Sequence, residues 1–600
     1  MTTPPADFPD PNQHTREPAS QTWADRLIAE LLAAGIGGFV LSPGSRNTPL
    51  SLALARGCPD RTVIHQEERG AAFFSLGASR AAHKPWGVVC TSGSAAANWM
   101  PAVVEASAGG VPLILLSADR PESLHHRRAN QTMDQVGLFG PYARCSWNLT
   151  PPASTRELEE KIQLVHTAFA TARSRHPGPV HLNLPFHDPL IPERLPEFVP
   201  VHRPAVRWHP GHLAVDANAL SADREFTQKG QRGLLLVGGL RDAAAIRAVR
   251  TLAERLGWPV YADITSGLRL ESPGGLAIPY ADLLPEYWAD RLGPPDRVLW
   301  IGDSLIQRTF PEWLARETGD CLLITDHDRG QDPYGMVRSR IVTDLTAFCE
   351  ALAGTLPTPQ APCASFQREQ TLLDHAIDTF AEMEGLSLHQ LEPLTARWFL
   401  DTAARLEVPV FLGNSMPVRW GGLYAKYASG SPAVFASRGV SGIDGAAATA
   451  AGLSEGIGRR PVAALLGDLT LLHDLPSMAL AAERRLPLVV VVLNNGGGRI
   501  FHHLPQARYC PELLTPWFTA GEVVEDFRPA AELFGWNWVC PKSRDAFLSQ
   551  LESALTIPDR TPTLIELQLG GEISRITHER LKQRCAAGIK DETGTSERNP

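Results

Sequence analysis

The chain has 600 residues, a formal net charge of −9 and an ordinary globular composition, with 44% hydrophobic and 20% charged residues. This length predicts about three or four domains of ~150 residues each. The acidic balance argues against a nucleic-acid-binding surface, and no apolar stretch approaches the ~18 residues that a membrane span needs. The nine cysteines are scattered without a CxxC pair, which indicates a reduced, cytoplasmic protein rather than a disulfide framework.

Polar and proline-rich stretches divide the chain into three globular blocks. The N-terminal stretch has no apolar segment of the kind that signal peptides contain, so we expect a disordered tail there. The predicted boundaries are a disordered tail at 1–20, a first block at 21–190, a linker at 191–232, a middle block at 233–355, a linker at 356–365, a third block at 366–586 and a second disordered tail at 587–600.

The first block opens with a predicted strand, Gly38–Leu41, that leads into the turn SPGSRNTPL. Pro49 near the start of the following helix should leave the N–H groups of Ser45–Thr48 free to face an anion. Arg46 adds a guanidinium that can bind a carboxylate or phosphate with two hydrogen bonds. A surface turn with a solvated arginine is the alternative.

The next signal in the first block is VIHQEERG, a short strand that runs directly into the predicted helix Ala71–Ala82. Glu67 and Glu68 at this junction have a catalytic interpretation and a simpler one, in which both acids complement the helix dipole. Three further strands make the block a parallel, doubly wound domain. They are Trp86–Cys90, Val111–Ser117 and Val180–Leu184, the last of which is predicted to close the sheet.

The middle block also alternates strands with helices. It resembles a nucleotide-binding half-fold, but it has no complete GxGxxG, so we expect a structural domain without a dinucleotide. The predicted strands are Leu234–Gly239, Pro259–Ala262, Asp296–Gly302 and Leu322–Asp326.

The third block contains the most specific pattern in the chain, GDLTLLHDL followed by NNGGGRIF. A strand at Val462–Leu466 should end at Gly467-Asp468, and Asp474 should cap a helix that runs to about Arg485. Leu486–Leu493 is a β-branched run, as in a central parallel strand, and it ends at two asparagines and three glycines.

If these two strands are parallel, Asp468 and Asn495 both emerge at the carboxyl edge of the sheet, where open α/β sheets bind ligands. A carboxylate, an amide oxygen and the carbonyls of Gly496–Gly498 are hard oxygen ligands that suit Mg²⁺. An ordinary glycine-rich turn is the alternative, and Asn494 is an alternative ligand to Asn495.

The pattern of GD, 26 intervening residues and an asparagine before glycines resembles the diphosphate-and-magnesium motif of thiamine-diphosphate (ThDP) enzymes. Two such domains around a different one resemble the pyruvate-oxidase-like branch, which implies an α/β fold of three doubly wound parallel-sheet domains. Within that branch the chain resembles the 2-succinyl-5-enolpyruvyl-6-hydroxy-3-cyclohexene-1-carboxylate (SEPHCHC) synthases. The motifs that carry the resemblance are SPGSRNTPL, EERG, TSGSAAAN, ADRP, ANQ, GNSMPVR, SRGVSGIDG, GDLTLLHDL and NNGGGRIF.

The resemblance implies a transferase of menaquinone or phylloquinone biosynthesis that joins 2-oxoglutarate to isochorismate with loss of CO₂. It implies ThDP and Mg²⁺ as cofactors, with Mn²⁺ as an alternative metal, and a homodimer or homotetramer without nucleic-acid or membrane partners. By resemblance, Glu68 hydrogen-bonds the cofactor's pyrimidine ring and activates it. The implied catalytic residues are Glu68, Ser415 and Arg419.

The resemblance also assigns binding residues. The cofactor residues are Glu68, Ser92, Gly93, Asn414, Ser415, Gly442, Ile443, Gly467, Asp468, Leu469, Asn495, Gly497, Ile500 and Phe501, of which Asp468, Asn495 and Gly497 bind the metal. The substrate residues are Arg46, Arg120, Gln131, Arg308, Asn414, Ser415, Arg419, Arg438, Ile500 and Phe501. Both substrates are dianions, and the five arginines fall at or next to predicted strand ends.

The chain departs at Gln307-Arg308-Thr309 from bacterial relatives, which often carry a Ser/Lys/Arg cluster there, so one cation of that cluster is retained.

Another ThDP-dependent carboligase or decarboxylase, of the acetolactate-synthase kind, is an alternative function. Such enzymes generally use less anionic substrates, and the arginines argue against that reading. The second alternative is a cofactor-binding subunit without catalytic activity. The presence of all three key residues, Glu68, Asp468 and Asn495, argues against it.

Overall fold

The computed structural model describes residues 19–201, 232–271, 275–330, 332–356, 365–427, 430–519, 524–556 and 561–593. The chain divides into two compact units, 1–208 and 209–600. No helix in these described ranges is long and apolar enough to cross a lipid bilayer. The eight cysteines in the same ranges form no disulfide bonds with one another.

The first unit contains a six-stranded parallel sheet with the strand order β2-β1-β3-β4-β6-β5. The strands are β1 (Phe39–Leu41), β2 (Thr62–Ile64), β3 (Trp86–Cys90), β4 (Leu113–Asp119), β5 (Ser146–Asn148) and β6 (Val180–Pro185). Its helices are Ala19–Ala34, Thr48–Gly57, Glu68–Ala82, Ser94–Ala97, Met100–Gly109 and Thr155–Ala172. The prediction that Val180–Leu184 closes the sheet is wrong, because β5 pairs beyond it. This edge strand is short and only partly buried, so it lacks the apolar run of the central strands.

The second unit contains two parallel sheets, the first with five strands in the order β11-β10-β9-β7-β8. These strands are β7 (Gly233–Val237), β8 (Val260–Ala262), β9 (Arg297–Ile301), β10 (Cys321–Thr325) and β11 (Val337–Val342). The helices of this part are Ala243–Leu256, Pro285–Leu292, Thr309–Glu317 and Leu345–Thr355. The four strands predicted for the middle block are present. β11 was not predicted, because three of its six residues are exposed and none is fully buried.

The second sheet of this unit has six strands in the order β13-β12-β14-β15-β17-β16. These strands are β12 (Val410–Leu412), β13 (Val434–Phe435), β14 (Val462–Gly467), β15 (Leu488–Asn494), β16 (Asn537–Val539) and β17 (Thr563–Gln568). Its helices are Gln367–Asp378, Phe380–Met383, Glu392–Arg405, Met416–Tyr424, Ala446–Gly456, Asp468–His473, Met478–Glu483, Gln506–Tyr509, Arg528–Phe534, Arg544–Thr556 and Gly571–Thr593. The three parallel sheets with their helices confirm the predicted fold class.

The helix predicted from Asp474 to about Arg485 is present as a 3₁₀ turn followed by a short α-helix that ends at Glu483, but its predicted cap is wrong. The chain becomes helical at Asp468, is interrupted by a 3₁₀ turn at Leu475–Ser477 and resumes as Met478–Glu483. The Asp474 side chain accepts no hydrogen bond from a backbone N–H of this turn. Its carboxylate accepts instead from Ser477 Oγ at 2.8 Å and from the N–H of Ala448, in another helix, at 2.9 Å.

Both predicted tails are partly wrong. The helix Ala19–Ala34 begins inside the predicted tail 1–20, and the last helix continues to Thr593 across the predicted boundary at 587. The last helix has an apolar face formed by three buried residues that lie four positions apart, Leu581, Cys585 and Ile589. This face is hard to recognise in the sequence, because charged residues stand between its members. Residues 1–18 and 594–600, and most of the two predicted linkers (202–231 and 357–364), lie outside the described residues.

Candidate active site

The predicted metal ligands meet at the carboxyl edge of the third sheet. β14 and β15 pair in parallel, with Gly467 opposite Leu493, so Asp468 and Asn495 leave the sheet side by side. Asp468 is buried at the start of its helix. Its Oδ1 accepts a hydrogen bond from the N–H of Leu469 at 2.7 Å, and its Oδ2 accepts from the N–H groups of Asn495 at 3.1 Å and Gly497 at 2.8 Å.

The glycine run provides the turn that makes these contacts possible. Gly496, Gly497 and Gly498 have φ angles of 80°, 77° and 63°, a left-handed sequence that glycine adopts readily and that other residues adopt only at a cost. The turn directs backbone N–H groups at the Asp468 carboxylate. Burial raises the pKa of Asp468, and these backbone donors oppose the rise.

The two consecutive asparagines have different surroundings. Asn494 is buried, and its Nδ2 donates to Glu566 Oε1 at 2.7 Å. Asn495 donates through Nδ2 to Glu392 Oε2 at 3.0 Å, and its Oδ1 accepts no hydrogen bond from any residue that the structure describes. Asn495 is the better candidate ligand, because its own backbone N–H donates to Asp468 and so places this residue beside that carboxylate.

The donor set at this edge fits a hard divalent cation. Asp468 Oδ1 accepts one backbone hydrogen bond and keeps a second lone-pair site, whereas Oδ2 already accepts two. The Asn495 amide oxygen and the Gly497 carbonyl are further neutral oxygens. Carboxylate and carbonyl oxygens are the ligands that Mg²⁺ and Mn²⁺ take in proteins.

A second turn, after β12, is tied to the loop that follows β13. Asn414 is buried and donates through Nδ2 to the carbonyls of Ser437 at 2.8 Å and Gly442 at 2.6 Å, while its Oδ1 accepts from Arg438 Nη1 at 2.8 Å. Ser415 has a positive φ of 73°, an uncommon conformation for a residue other than glycine. Asn414 thus holds together the two loops that carry five predicted site residues, which are Asn414, Ser415, Arg438, Gly442 and its neighbour Ile443.

Three of the five predicted arginines lie in one electrostatic neighbourhood. Arg419 is half-buried, and its Nη1 donates to the Ser415 carbonyl at 2.6 Å. Burial, followed by the positive charges of Arg438 and Arg308, lowers the pKa of Arg419. Arg308 is 78% exposed and lies 2.8 Å from Glu312, so it is the most solvated of the three. This concentration of positive charge suits a dianionic ligand.

The apolar residues that end the glycine motif lie on a short 3₁₀ helix, Arg499–His503. Ile500 packs against the core of the unit, and the Phe501 ring lies 5.3 Å from that of Phe518. Both side chains are only partly buried, so each retains an accessible apolar surface.

In the first unit the two glutamates of EERG have separate roles. Glu67 is the N-cap of the helix Glu68–Ala82 and accepts from the N–H groups of Arg69 at 3.2 Å and Gly70 at 2.7 Å. Glu68 is half-buried and accepts a hydrogen bond from Asn98 Nδ2 at 3.3 Å. The capping interpretation therefore applies to Glu67, which leaves the Glu68 carboxylate available to a ligand. Burial, followed by the Glu68 charge, raises the pKa of Cys90.

The turn after β3 brings three predicted residues together and adds one that the sequence did not indicate. Ser92 Oγ donates to the Gln131 carbonyl at 3.0 Å, and Gln131 Nε2 donates to the Ser92 carbonyl at 3.0 Å. The N–H of Gly93 donates to the buried Gln135 Oε1 at 2.8 Å. Gln135 also donates to Asn183 at 2.9 Å, so a buried polar network holds this turn. Nothing in the spacing of Gln135 distinguishes it from a surface glutamine.

Arg46 is buried, so its interpretation as a solvated surface charge is wrong. Its Nη1 donates to the Phe186 carbonyl at 2.9 Å. The expectation that the N–H groups of this turn are free is also wrong at two positions, because Arg46 donates to Thr91 Oγ1 and Thr48 donates to the Ser45 carbonyl. Arg120 follows β4, and its buried Nε has no hydrogen-bond partner among the described residues.

The predicted residues therefore form two groups. One, in the first unit, contains Arg46, Glu68, Ser92, Gly93, Arg120 and Gln131. The other, in the second unit, contains Arg308, Asn414, Ser415, Arg419, Arg438, Gly442, Ile443, Gly467, Asp468, Leu469, Asn495, Gly497, Ile500 and Phe501. Each group lies mainly at the carboxyl ends of parallel strands, as ligand sites of open α/β sheets do.

Three domain families match the chain in order. Thiamine pyrophosphate is another name for ThDP, and the N-terminal binding domain of enzymes that use it matches residues 21–138. The middle domain of these enzymes matches residues 203–389, and their C-terminal binding domain matches residues 417–567.

Individual proteins match nearly the whole chain. It is 36% identical over 580 residues to 2-succinyl-5-enolpyruvyl-6-hydroxy-3-cyclohexene-1-carboxylate synthase from Rubrobacter xylanophilus, covering 95% of this chain and 99% of that protein. It is 35% identical over 580 residues to the synthase of the same name from Chlorobaculum tepidum, covering 94% and 96%. The solved structure of benzoylformate decarboxylase from Polynucleobacter necessarius shares the fold, with a TM-score of 0.66 at 17% identity over 93% of this chain and 99% of that one.

Proposed function

Because the chain belongs to the SEPHCHC synthase family of ThDP-dependent enzymes, we propose that it decarboxylates 2-oxoglutarate and adds the succinyl unit to isochorismate in menaquinone biosynthesis. The observation that carries this proposal is the combination of two features in the second unit. An oxygen set of Asp468, Asn495 and Gly497 suits a divalent cation, and the neighbouring Arg308, Arg419 and Arg438 suit a dianionic substrate.

Several residues of the chain would hold the cofactor. Bound ThDP supplies an electron sink for the loss of CO₂ from a 2-oxo acid. We assign Asp468, Asn495 and Gly497 to Mg²⁺, which would neutralise the diphosphate beside them. The half-buried carboxylate of Glu68 would hydrogen-bond the pyrimidine ring.

Other residues would bind and orient the substrates. Arg419 is fixed by its hydrogen bond to the Ser415 carbonyl, and we assign it to a carboxylate of 2-oxoglutarate. The partly buried Ile500 and Phe501 would form an apolar wall that limits access of water.

We also propose that the active unit is at least a homodimer, because in this family the glutamate domain and the diphosphate domain meet across subunits. Light scattering on the active enzyme tests this assignment. A fully active monomer would contradict it.

The function is tested by incubating the purified protein with ThDP, Mg²⁺, 2-oxoglutarate and isochorismate, and by measuring CO₂ release and the SEPHCHC product by mass spectrometry. We expect product formation that requires all four components. Turnover of pyruvate without product from isochorismate would identify an enzyme of the acetolactate-synthase kind instead.

Two matched variants separate catalysis from folding. Glu68→Gln should abolish product formation while ThDP still binds, because the amide cannot exchange a proton with the pyrimidine. Glu67→Gln changes the adjacent N-cap, so it should retain activity and lose about 1 kcal/mol of stability at most. An active Glu68→Gln enzyme would exclude the assigned role of Glu68.

A further inference from the structure

A buried carboxylate that the sequence did not indicate lies directly behind the candidate metal site. Glu392 is 1% exposed and begins the helix Glu392–Arg405. Its Oε1 accepts a hydrogen bond from Trp420 Nε1 at 3.0 Å, and its Oε2 accepts from Asn495 Nδ2 at 3.0 Å. Both oxygens of this carboxyl group therefore act as hydrogen-bond acceptors in the structure.

The chemistry of the amide makes this contact directional. An asparagine side chain has a donor end and an acceptor end, and only the acceptor end can bind a cation. Both Glu392 oxygens accept hydrogen bonds from N–H donors, so Glu392 faces the Nδ2 end of Asn495. The Oδ1 end must then point away from Glu392. The backbone N–H of the same residue donates to Asp468, which places both residues at one edge.

We propose that Glu392 is a positioning residue for the metal site, which holds the Asn495 amide with its oxygen towards the cation. This inference rests on the proposed Mg²⁺ function of Asp468, Asn495 and Gly497. If the amide turned over, its NH₂ group would face the cation beside Asp468 and repel it. Residues behind metal ligands orient them in this way, and their loss typically weakens metal binding by about 10–100-fold.

Trp420 extends the arrangement towards the substrate residues. It lies in the helix Met416–Tyr424, directly after Arg419, and it is buried. Glu392 therefore joins the metal ligand Asn495 to the helix that carries Arg419, through two hydrogen bonds of 3.0 Å.

The adjacent asparagine offers an internal control. Asn494 donates to the buried Glu566 at 2.7 Å, and Glu566 also accepts from Trp538 Nε1 at 2.9 Å. Like the group of Asn495, Glu392 and Trp420, this one consists of an amide, a carboxylate and an indole. Glu566 also accepts from the N–H of Phe527 at 2.9 Å, so its role is to connect chain segments within the fold. We assign no metal ligand to this group.

The test compares Glu392→Gln with Glu566→Gln, both made in the full-length protein. The magnesium dissociation constant is measured by calorimetric titration at saturating ThDP, and the melting temperature is measured without cofactor. Glu392→Gln retains the Trp420 contact through its carbonyl, but its NH₂ can donate to Asn495 and turn the amide over. We expect a 10–100-fold weaker Mg²⁺ affinity in Glu392→Gln. Glu566→Gln should lower the melting temperature and leave the Mg²⁺ affinity within about twofold.

An exchange of the two groups separates positioning from general stability. In Asn495→Asp two carboxylates face each other, so Mg²⁺ binding should weaken. In the double variant Glu392→Gln/Asn495→Asp, the introduced amide can donate to one oxygen of the introduced carboxylate and leave the other oxygen for the cation. We expect the double variant to bind Mg²⁺ more tightly than either single variant, which a merely structural role for Glu392 would not produce.

The outcomes are distinct. Wild-type Mg²⁺ affinity in Glu392→Gln, or no recovery in the double variant, would overturn the inference, and a double variant that does not fold counts as no recovery. If the wild-type protein itself binds neither Mg²⁺ nor ThDP, the proposed function fails instead.

Discussion

Replacing Asp468 with asparagine tests the metal site at its most defined residue. The change preserves the shape of the side chain but removes one negative charge and exchanges one acceptor oxygen for an NH₂ group. The wild-type carboxylate accepts from the Leu469 N–H on one oxygen and from the Asn495 and Gly497 N–H groups on the other. Whichever end carries the NH₂ group, at least one buried N–H loses its acceptor.

The size of the effect follows from these contacts. A buried donor left without its acceptor costs about 1–3 kcal/mol, and the orientation with NH₂ towards Leu469 sacrifices the fewest contacts. The cation also loses the charged ligand among its assigned residues. We therefore expect the Mg²⁺ dissociation constant to rise by at least ~100-fold, which corresponds to about 2.7 kcal/mol. ThDP binding should weaken in parallel, because the proposed Mg²⁺ would neutralise the diphosphate beside these residues.

Asp474 provides the matched control. It is also buried, and it accepts hydrogen bonds from the Ala448 N–H and Ser477 Oγ. Asp474→Asn should lower the melting temperature of the cofactor-free protein and leave the Mg²⁺ affinity within about threefold. Calorimetric titration of Mg²⁺ and of ThDP, with a melting curve for each variant, gives all the values. Unchanged Mg²⁺ and ThDP affinities in Asp468→Asn would refute the assignment, and equal losses in both variants would show that the effect is general destabilisation.

Two further predictions concern other parts of the second unit. Arg419→Ala should raise the KM for 2-oxoglutarate more than the KM for isochorismate. Arg308→Ala should raise the KM for 2-oxoglutarate less than Arg419→Ala does, since Arg308 is 78% exposed. Steady-state kinetics with each substrate varied in turn measures both constants, and an equal rise in the two KM values of Arg419→Ala would contradict its role. Burial raises the pKa of Asp282 from 3.8 to about 6, so its contribution to stability is greatest below pH ~4 and is lost as the pH rises through 6. Asp282→Asn removes this titration, so the melting temperature of the variant minus that of wild type should be higher at pH 8 than at pH 4.5, and an equal difference at both pH values would disprove this account.

Much of the fold follows from local pattern. Apolar runs such as Val462–Leu466 and Leu486–Leu493 must be buried on both faces, which only a parallel sheet covered by helices provides. They appear as β14 and β15 with bounds shifted by at most two residues. Edge strands such as β5 and β16 were missed, because a strand that is partly solvated does not need an apolar run. The helix at Asp468 was missed because its start depends on the turn at the sheet edge rather than on a capping residue.

The sequence by itself determined the two ends of the candidate metal site. Gly467-Asp468 and Asn495 with its glycines are each local signals, and their offset matches one strand–helix–strand crossover. The tertiary structure alone decided which groups stand behind them. Glu392 lies 103 residues from Asn495 in sequence, and its role is visible only when the fold brings the two side chains within 3.0 Å. Likewise, only the structure separates Glu67, a helix cap, from Glu68, and shows that Arg46 is buried. The physical reason is that a buried polar group takes whichever partner the packing places beside it, and spacing along the chain carries no information about that partner.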